Sequence, residues 1–186
     1  VERKDAGGNL LEPIVLDPPY SPMQIHCTRG GSILVALYVP YLEQVREYRA
    51  FDPGGAELGR YRRDQAYAEM VRFGLHDTAG IYEVKSAREG EGVFFSGQWI
   101  GYDGEPRTGR ARLTGVRDYW STGLDLVVSE AGDVLVSWVR ADPDTLERGL
   151  IEASVADIHG DASASPMRLS QGSGSWYWYA PTVVDE

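Results

Sequence analysis

The stretch Leu124-Asp125-Leu126-Val127-Val128-Ser129-Glu130-Ala131-Gly132-Asp133-Val134-Leu135-Val136-Ser137-Trp138-Val139 decides how the chain reads. Two runs rich in branched aliphatic residues flank a short polar turn that ends in Gly132. Branched and aromatic side chains fit a pleated, half-buried surface. A Gly at the end of such a turn supplies backbone that other residues adopt only at a cost. The unit is therefore strand, tight turn, strand.

The same unit recurs upstream. Met23-Gln24-Ile25-His26-Cys27 leads through Arg29-Gly30-Gly31 into Ser32-Ile33-Leu34-Val35-Ala36-Leu37-Tyr38-Val39. Met70-Val71-Arg72-Phe73-Gly74-Leu75 leads through Asp77-Thr78-Ala79 into Gly80-Ile81-Tyr82-Glu83-Val84. After each hairpin comes a third apolar run closed by an Asp-containing turn. These runs are Tyr48–Phe51 before Asp52, Val93–Tyr102 before Asp103, and Leu150–Ala156 before Asp157. A short fourth run follows: Glu57–Arg60, Ala111–Leu113 and Met167–Leu169. Four strands at a period of roughly 50 residues is the spacing of propeller blades.

The chain thus reads as one β-rich domain over 1–186, with approximate repeats at 20–65, 66–115 and 120–172. The segment 175–186 begins a further repeat, and Glu12-Pro13-Ile14-Val15-Leu16-Asp17 is its early counterpart. The expected fold is all-β, a β-propeller-like array of about three four-stranded blades. Three blades alone would leave sheet edges open, which invites association. The array is expected either to be part of a larger ring or to close with copies or partner chains.

Local propensity argues against this in places. Pro40–Tyr48 has Pro at a plausible first helical position and good helix formers after it. Asp64 is a candidate cap for Asp64–Val71, and Asp142–Glu147 is a third helix-start candidate. The alternative fold is therefore α+β, with two helices in 40–75 over an antiparallel sheet; a closed β-barrel is third. The run Gly92–Tyr102, rich in aromatics and broken by Gly92, Gly97 and Gly101, makes a poor helix and favours strands in all three repeats.

Leu126–Trp138 resembles the hairpin of bacterial sialidase-like propeller blades, the BNR or Asp-box repeats, and Ala180-Pro181-Thr182-Val183-Val184-Asp185 resembles that hairpin's opening. The resemblance covers roughly residues 120–186. Ser154, Asp157 and Gly160 follow the order of an Asp-box, with one residue too many between Ser and Asp and no Trp after the Gly. What the resemblance implies is a propeller fold; an Asp-box is a fold-stabilising turn, since its Asp accepts backbone hydrogen bonds within the loop. A sialidase-like or other glycoside hydrolase would also need arginines for a substrate carboxylate and a Tyr/Glu pair. Arg60, Arg62, Arg63, Arg110 and Arg112 lie close together along the chain rather than on separated blades, and read as solvated strand faces.

Composition bounds the rest. The chain has 186 residues, 42% of them hydrophobic, which suits a folded domain. Its net charge of -10 disfavours nucleic-acid binding and anionic lipid. No run reaches the ~20 apolar residues of a membrane helix, so no membrane insertion is expected. The acidity suits an extracellular or periplasmic protein. With the single Cys27 there is no intrachain disulfide and no zinc-finger site, and Cys27 reads as a small buried hydrophobe.

Chemistry-bearing patterns are sparse. His26, His76 and His159 have no ligand-like spacing, so neither metal nor cofactor is expected. His159 between Asp157 and Asp161 reads as an ordinary turn. Glu89, Glu91 and Glu105 read as surface charge, and no catalytic residue is assigned. The aromatics stand out instead. Trp176-Tyr177-Trp178-Tyr179 alternates, so both Trp share one face of a strand. Trp99, Trp138 and Tyr102 recur at the ends of expected strands. Flat rings stack on sugars and anchor protein interfaces; packing between blades is the competing role. Trp176, Trp178, Trp99, Trp138 and Tyr102 are therefore the candidate ligand-binding residues. The expected function is a non-catalytic binding or interaction module for a glycan or a protein. A glycoside hydrolase fragment and a structural assembly subunit are the alternatives.

Overall fold

The computed structural model describes residues 2–4, 7–16, 21–28, 30–38, 45–64, 70–89, 92–114, 121–140, 150–163 and 165–171. Strands dominate, and there is no helix among the described residues. A short ribbon pairs β1 (Arg3–Lys4) with β2 (Leu10–Leu11). Twelve further strands form three four-stranded antiparallel sheets, each in simple sequential order. The first holds β3 (Ser21–Cys27), β4 (Ile33–Tyr38), β5 (Val45–Phe51) and β6 (Glu57–Asp64). The second holds β7 (Val71–His76), β8 (Gly80–Glu89), β9 (Gly92–Ile100) and β10 (Ala111–Arg112). The third holds β11 (Ser121–Val128), β12 (Val134–Arg140), β13 (Leu150–Ala156) and β14 (Met167–Gln171). Each sheet is blade-like: a meander in which every strand pairs with its sequence neighbour.

Two of the three stretches with helical propensity contain strand and no helix where they are described. Val45 pairs with Asp64 and Tyr48 with Tyr61, so the second half of 40–48 and the start of 64–71 form the ladder between β5 and β6. Cross-strand pairing overrides propensity here, because Tyr48 and Tyr61 stack at 5.0 Å and both are buried. Residues 40–44, 65–69 and 142–147 lie outside the described residues, as do Trp176, Trp178 and the whole segment 175–186. The early counterpart at 12–17 is not a strand over 12–16. Pro13 has no N–H to give a ladder, although Ile14 is buried. Cys27 is exposed at the end of β3 rather than buried, because it is the last residue before the turn.

The same hairpin turn closes β3–β4, β5–β6, β11–β12 and β13–β14. A short polar residue, Thr28, Asp52, Ser129 or Asp157, accepts at its carbonyl from the N–H three residues on, and its own N–H donates to the carbonyl four residues on. Its side-chain oxygen accepts the N–H of the fourth residue as well. The third residue is always a glycine with positive φ. This bonding pattern, with its left-handed glycine before the second strand, is a standard short hairpin connection.

The chain divides into two compact units, residues 1–67 with 102–105, and the remainder. In the first, Ile33, Val35 and Leu37 alternate onto one face of β4 and pack with Ile14 and Phe51. In the second, the sheets of β7–β10 and β11–β14 share a core. Tyr82 and Val84 of β8, Phe95 and Trp99 of β9, and Val134, Val136 and Trp138 of β12 all meet there. Gly74 of β7 leaves room for Leu126 and Val128 of β11, whose side chains occupy the space a Cβ would take.

Candidate functional site

The second unit carries an open cleft of about 430 Å³ where three connections converge. They are the β7–β8 turn, the loop between β9 and β10, and the β13–β14 turn. Sequence distance hides this convergence, since the lining runs from Thr78 to His159.

Trp99 holds the three together. Its ring is 1% exposed and forms the floor. Its carbonyl accepts the N–H groups of Arg107 (2.9 Å) and Thr108 (3.3 Å), which folds the β9–β10 loop back on β9. Its own N–H donates to Thr108 Oγ1 at 3.0 Å. Its indole N–H donates to the carbonyl of Asp157 at 2.9 Å, which fixes the β13–β14 turn against β9. Tyr82 meets the ring edge-on at 5.1 Å, and His76 at 6.1 Å.

His76 organises the β7–β8 turn in place of the usual hydroxyl or carboxylate. Its Nδ1 accepts the N–H groups of Thr78 (3.3 Å) and Ala79 (3.0 Å). The ring proton therefore sits on Nε2, which donates to the Glu130 carbonyl at 2.9 Å. In the β13–β14 turn, Asp157 Oδ1 accepts the N–H groups of His159 and Asp161, each at 2.9 Å. That leaves Ile158 and His159 at the tip. Ile158 packs on Gly132, and Gly160 packs on Thr108.

Arg107 and His159 line the cleft, are exposed, and have side chains without a hydrogen bond or ion pair to any described residue. Five other arginines are held by carboxylates. Arg60 pairs with Glu57, Arg112 with Glu89, and Arg110 with Glu83. Arg49 and Arg62 both pair with the buried Glu47, at 2.7 and 2.9 Å.

The buried carboxylates escaped the sequence reading. Glu47 is 1% exposed, Glu83 3% and Glu152 7%. Each has a structural partner: the two arginines on Glu47, Arg110 on Glu83, and the Trp138 indole N–H on Glu152 at 3.1 Å. The signal for the first was Glu47 directly opposite Arg62 in the β5–β6 register. Burial pushes the Glu47 carboxyl up, but the hydrogen bonds and charges of Arg49 and Arg62 outweigh it and hold the group below the usual carboxylate range. Burial also pushes the Tyr82 phenol strongly up, against the pull of Arg110 and with a push from Asp157.

Of the expected ligand-stacking residues, Trp99 and Trp138 are buried at 1 and 2% exposure, so neither presents a flat face to solvent. They fill the core between two sheets, where large rings bury the most area. Tyr102 is half-buried in the turn after β9. Trp176 and Trp178 lie outside the described residues. The Asp157 turn binds its own backbone, and no cluster of three or more metal-ligating side chains occurs among the described residues. No helix among them is long and apolar enough to cross a membrane.

The chain matches no family model, no curated protein and no solved structure.

Proposed function

We propose that this chain is a non-catalytic binding or interaction module built from propeller-type blades, with a glycan or a protein as its ligand. The observation that carries the reading is the fate of its buried acids. Glu47, Glu83 and Glu152 are each held by a structural partner inside a blade. A general acid or base needs a carboxyl within reach of substrate and free to exchange a proton. Arg60 and Arg112, two of the arginines a hydrolase would need for a substrate carboxylate, are spent on exposed pairs with Glu57 and Glu89. The presenting surface is then the rim of turns, as is common where a rigid sheet scaffold holds connecting segments.

On this reading the blades belong to a propeller-like ring of the sialidase-like type, completed by further blades from copies or partner chains. The repeated meander and the repeated hairpin turn with its left-handed glycine support it. The test is a glycan and protein array probed with the intact chain, beside an assay of fluorogenic glycosides. Saturable binding without turnover is expected. Background signal on both arrays removes the binding reading, and glycoside cleavage that Glu83→Gln abolishes replaces it with the hydrolase.

A further inference from the structure

We infer that the cleft floored by Trp99 is a binding site for a small organic monoanion, a hydroxylated carboxylate, with Arg107 as its charged anchor. Arg107 is exposed over this cleft without a partner among the described residues, whereas Arg49, Arg60, Arg62, Arg110 and Arg112 are each claimed by an acid. A guanidinium fork matches a planar carboxylate bidentately. His159 stands on the same cleft as a second donor. The Thr108 hydroxyl accepts the Trp99 N–H and keeps its own proton to donate, and the Thr78 hydroxyl donates to His76 Nδ1 and keeps lone pairs to accept, while Ala79 and Ile158 supply aliphatic contact. That mixture suits a short carbon skeleton bearing hydroxyl groups. The volume, about 430 Å³, falls at the small end of ligand pockets.

Phosphate fits less well. Its double charge calls for several cations or a nest of backbone N–H groups. Here the backbone N–H groups of Arg107, Thr108, His159 and Asp161 are already spent on Trp99 and Asp157. Asp157 and Asp161 in the adjoining turn add negative charge that a dianion would feel twice. The site is made within one compact unit and does not depend on the macromolecular ligand proposed above.

The test is a titration of the intact ¹⁵N-labelled chain with sodium lactate and sodium glycerate at fixed ionic strength, with glycerol and inorganic phosphate as the other arms. Saturable shifts are expected for the amides of Thr78, Thr108 and His159 and for the Trp99 indole N–H, with a carboxylate and not with glycerol. Arg107→Ala is expected to weaken binding by about tenfold or more, and Arg107→Lys by less, because lysine keeps charge and loses the fork. An unchanged spectrum for Arg107→Ala away from residues 99–108 shows that the variant is folded. Absence of saturable shifts, equal affinity in Arg107→Ala, or tighter binding of phosphate than of either carboxylate overturns the inference. A negative array leaves it standing, so the two readings fail separately.

Discussion

At the scale of single residues, the chain stakes stability on a few buried polar groups. Glu47 is the largest such commitment. Replacing it by Gln removes the charge facing Arg49, which is buried, and Arg62, which is half in solvent. A cost of about 2–4 kcal/mol is expected, below that of a fully buried pair because Arg62 rehydrates. The pH dependence has a definite sign. The folded carboxyl titrates below its unfolded value, so its contribution is complete above about 4.3, the ordinary glutamate value, and is lost as pH falls through the lower folded one. Denaturant melts of the native chain and Glu47→Gln should therefore converge on acidification. A gap that stays constant from neutral to acid pH would disprove the charge-based account. Tyr82 is the opposite case. Its hydroxyl is buried with no hydrogen-bond partner among the described residues. Tyr82→Phe should leave stability unchanged or raise it by up to about 1 kcal/mol, since an unsatisfied buried hydroxyl is removed. A clear loss in the same melts would mean that the hydroxyl has a partner after all.

At the scale of elements, the turns carry the most information per residue. Gly132 has φ 89°, and a Cβ there would lie 2.7 Å from Ile158 Cδ1. Gly109 has nothing within 4 Å of its notional Cβ. Gly132→Ala should cost about 1–2 kcal/mol in thermal or denaturant melts, and Gly109→Ala close to nothing. Equal effects would show that the turn geometry is not what holds the β11–β12 hairpin. The sequence announces such elements well: Gly132, Gly31 and Gly55 mark their turns, and branched runs such as Val134–Val139 mark the strands between. In β12 the strand period of two puts Val134, Val136 and Trp138 into the shared core. What stays hidden is what needs a second strand to be seen. Glu47 carries no signal of its own until Arg62 stands opposite it. Cys27 reads as core until the strand is found to end there. The cleft at Trp99 joins residues from three separate connections, so no local pattern contains it. His76 is hidden in the same way, because its two ring nitrogens serve backbone groups in different sheets.

At the scale of the molecule, the second unit is where separate blades become one structure. Its two sheets share Phe95 against Trp138 at 5.5 Å and the Trp99 indole bond to Asp157. The β11–β14 sheet also takes the His76 bond at Glu130. If these bonds and the common core couple the sheets, β8, β9, β12 and β13 should open in one cooperative event rather than blade by blade. Hydrogen exchange of their central amides should then report one common free energy of opening. Trp99→Phe keeps most of the ring but loses the donor to the Asp157 carbonyl, at a cost of about 2 kcal/mol. The deciding point is where that loss appears. It should lower protection equally in β9, which carries the substitution, and in β12, which does not contact the deleted N–H. A loss confined to β9 would mean that each blade is stable alone. Blades of that kind form an array of nearly independent repeats, whose stability sums over units and their neighbours. An equal loss would mean that the intersheet core sets the stability of both.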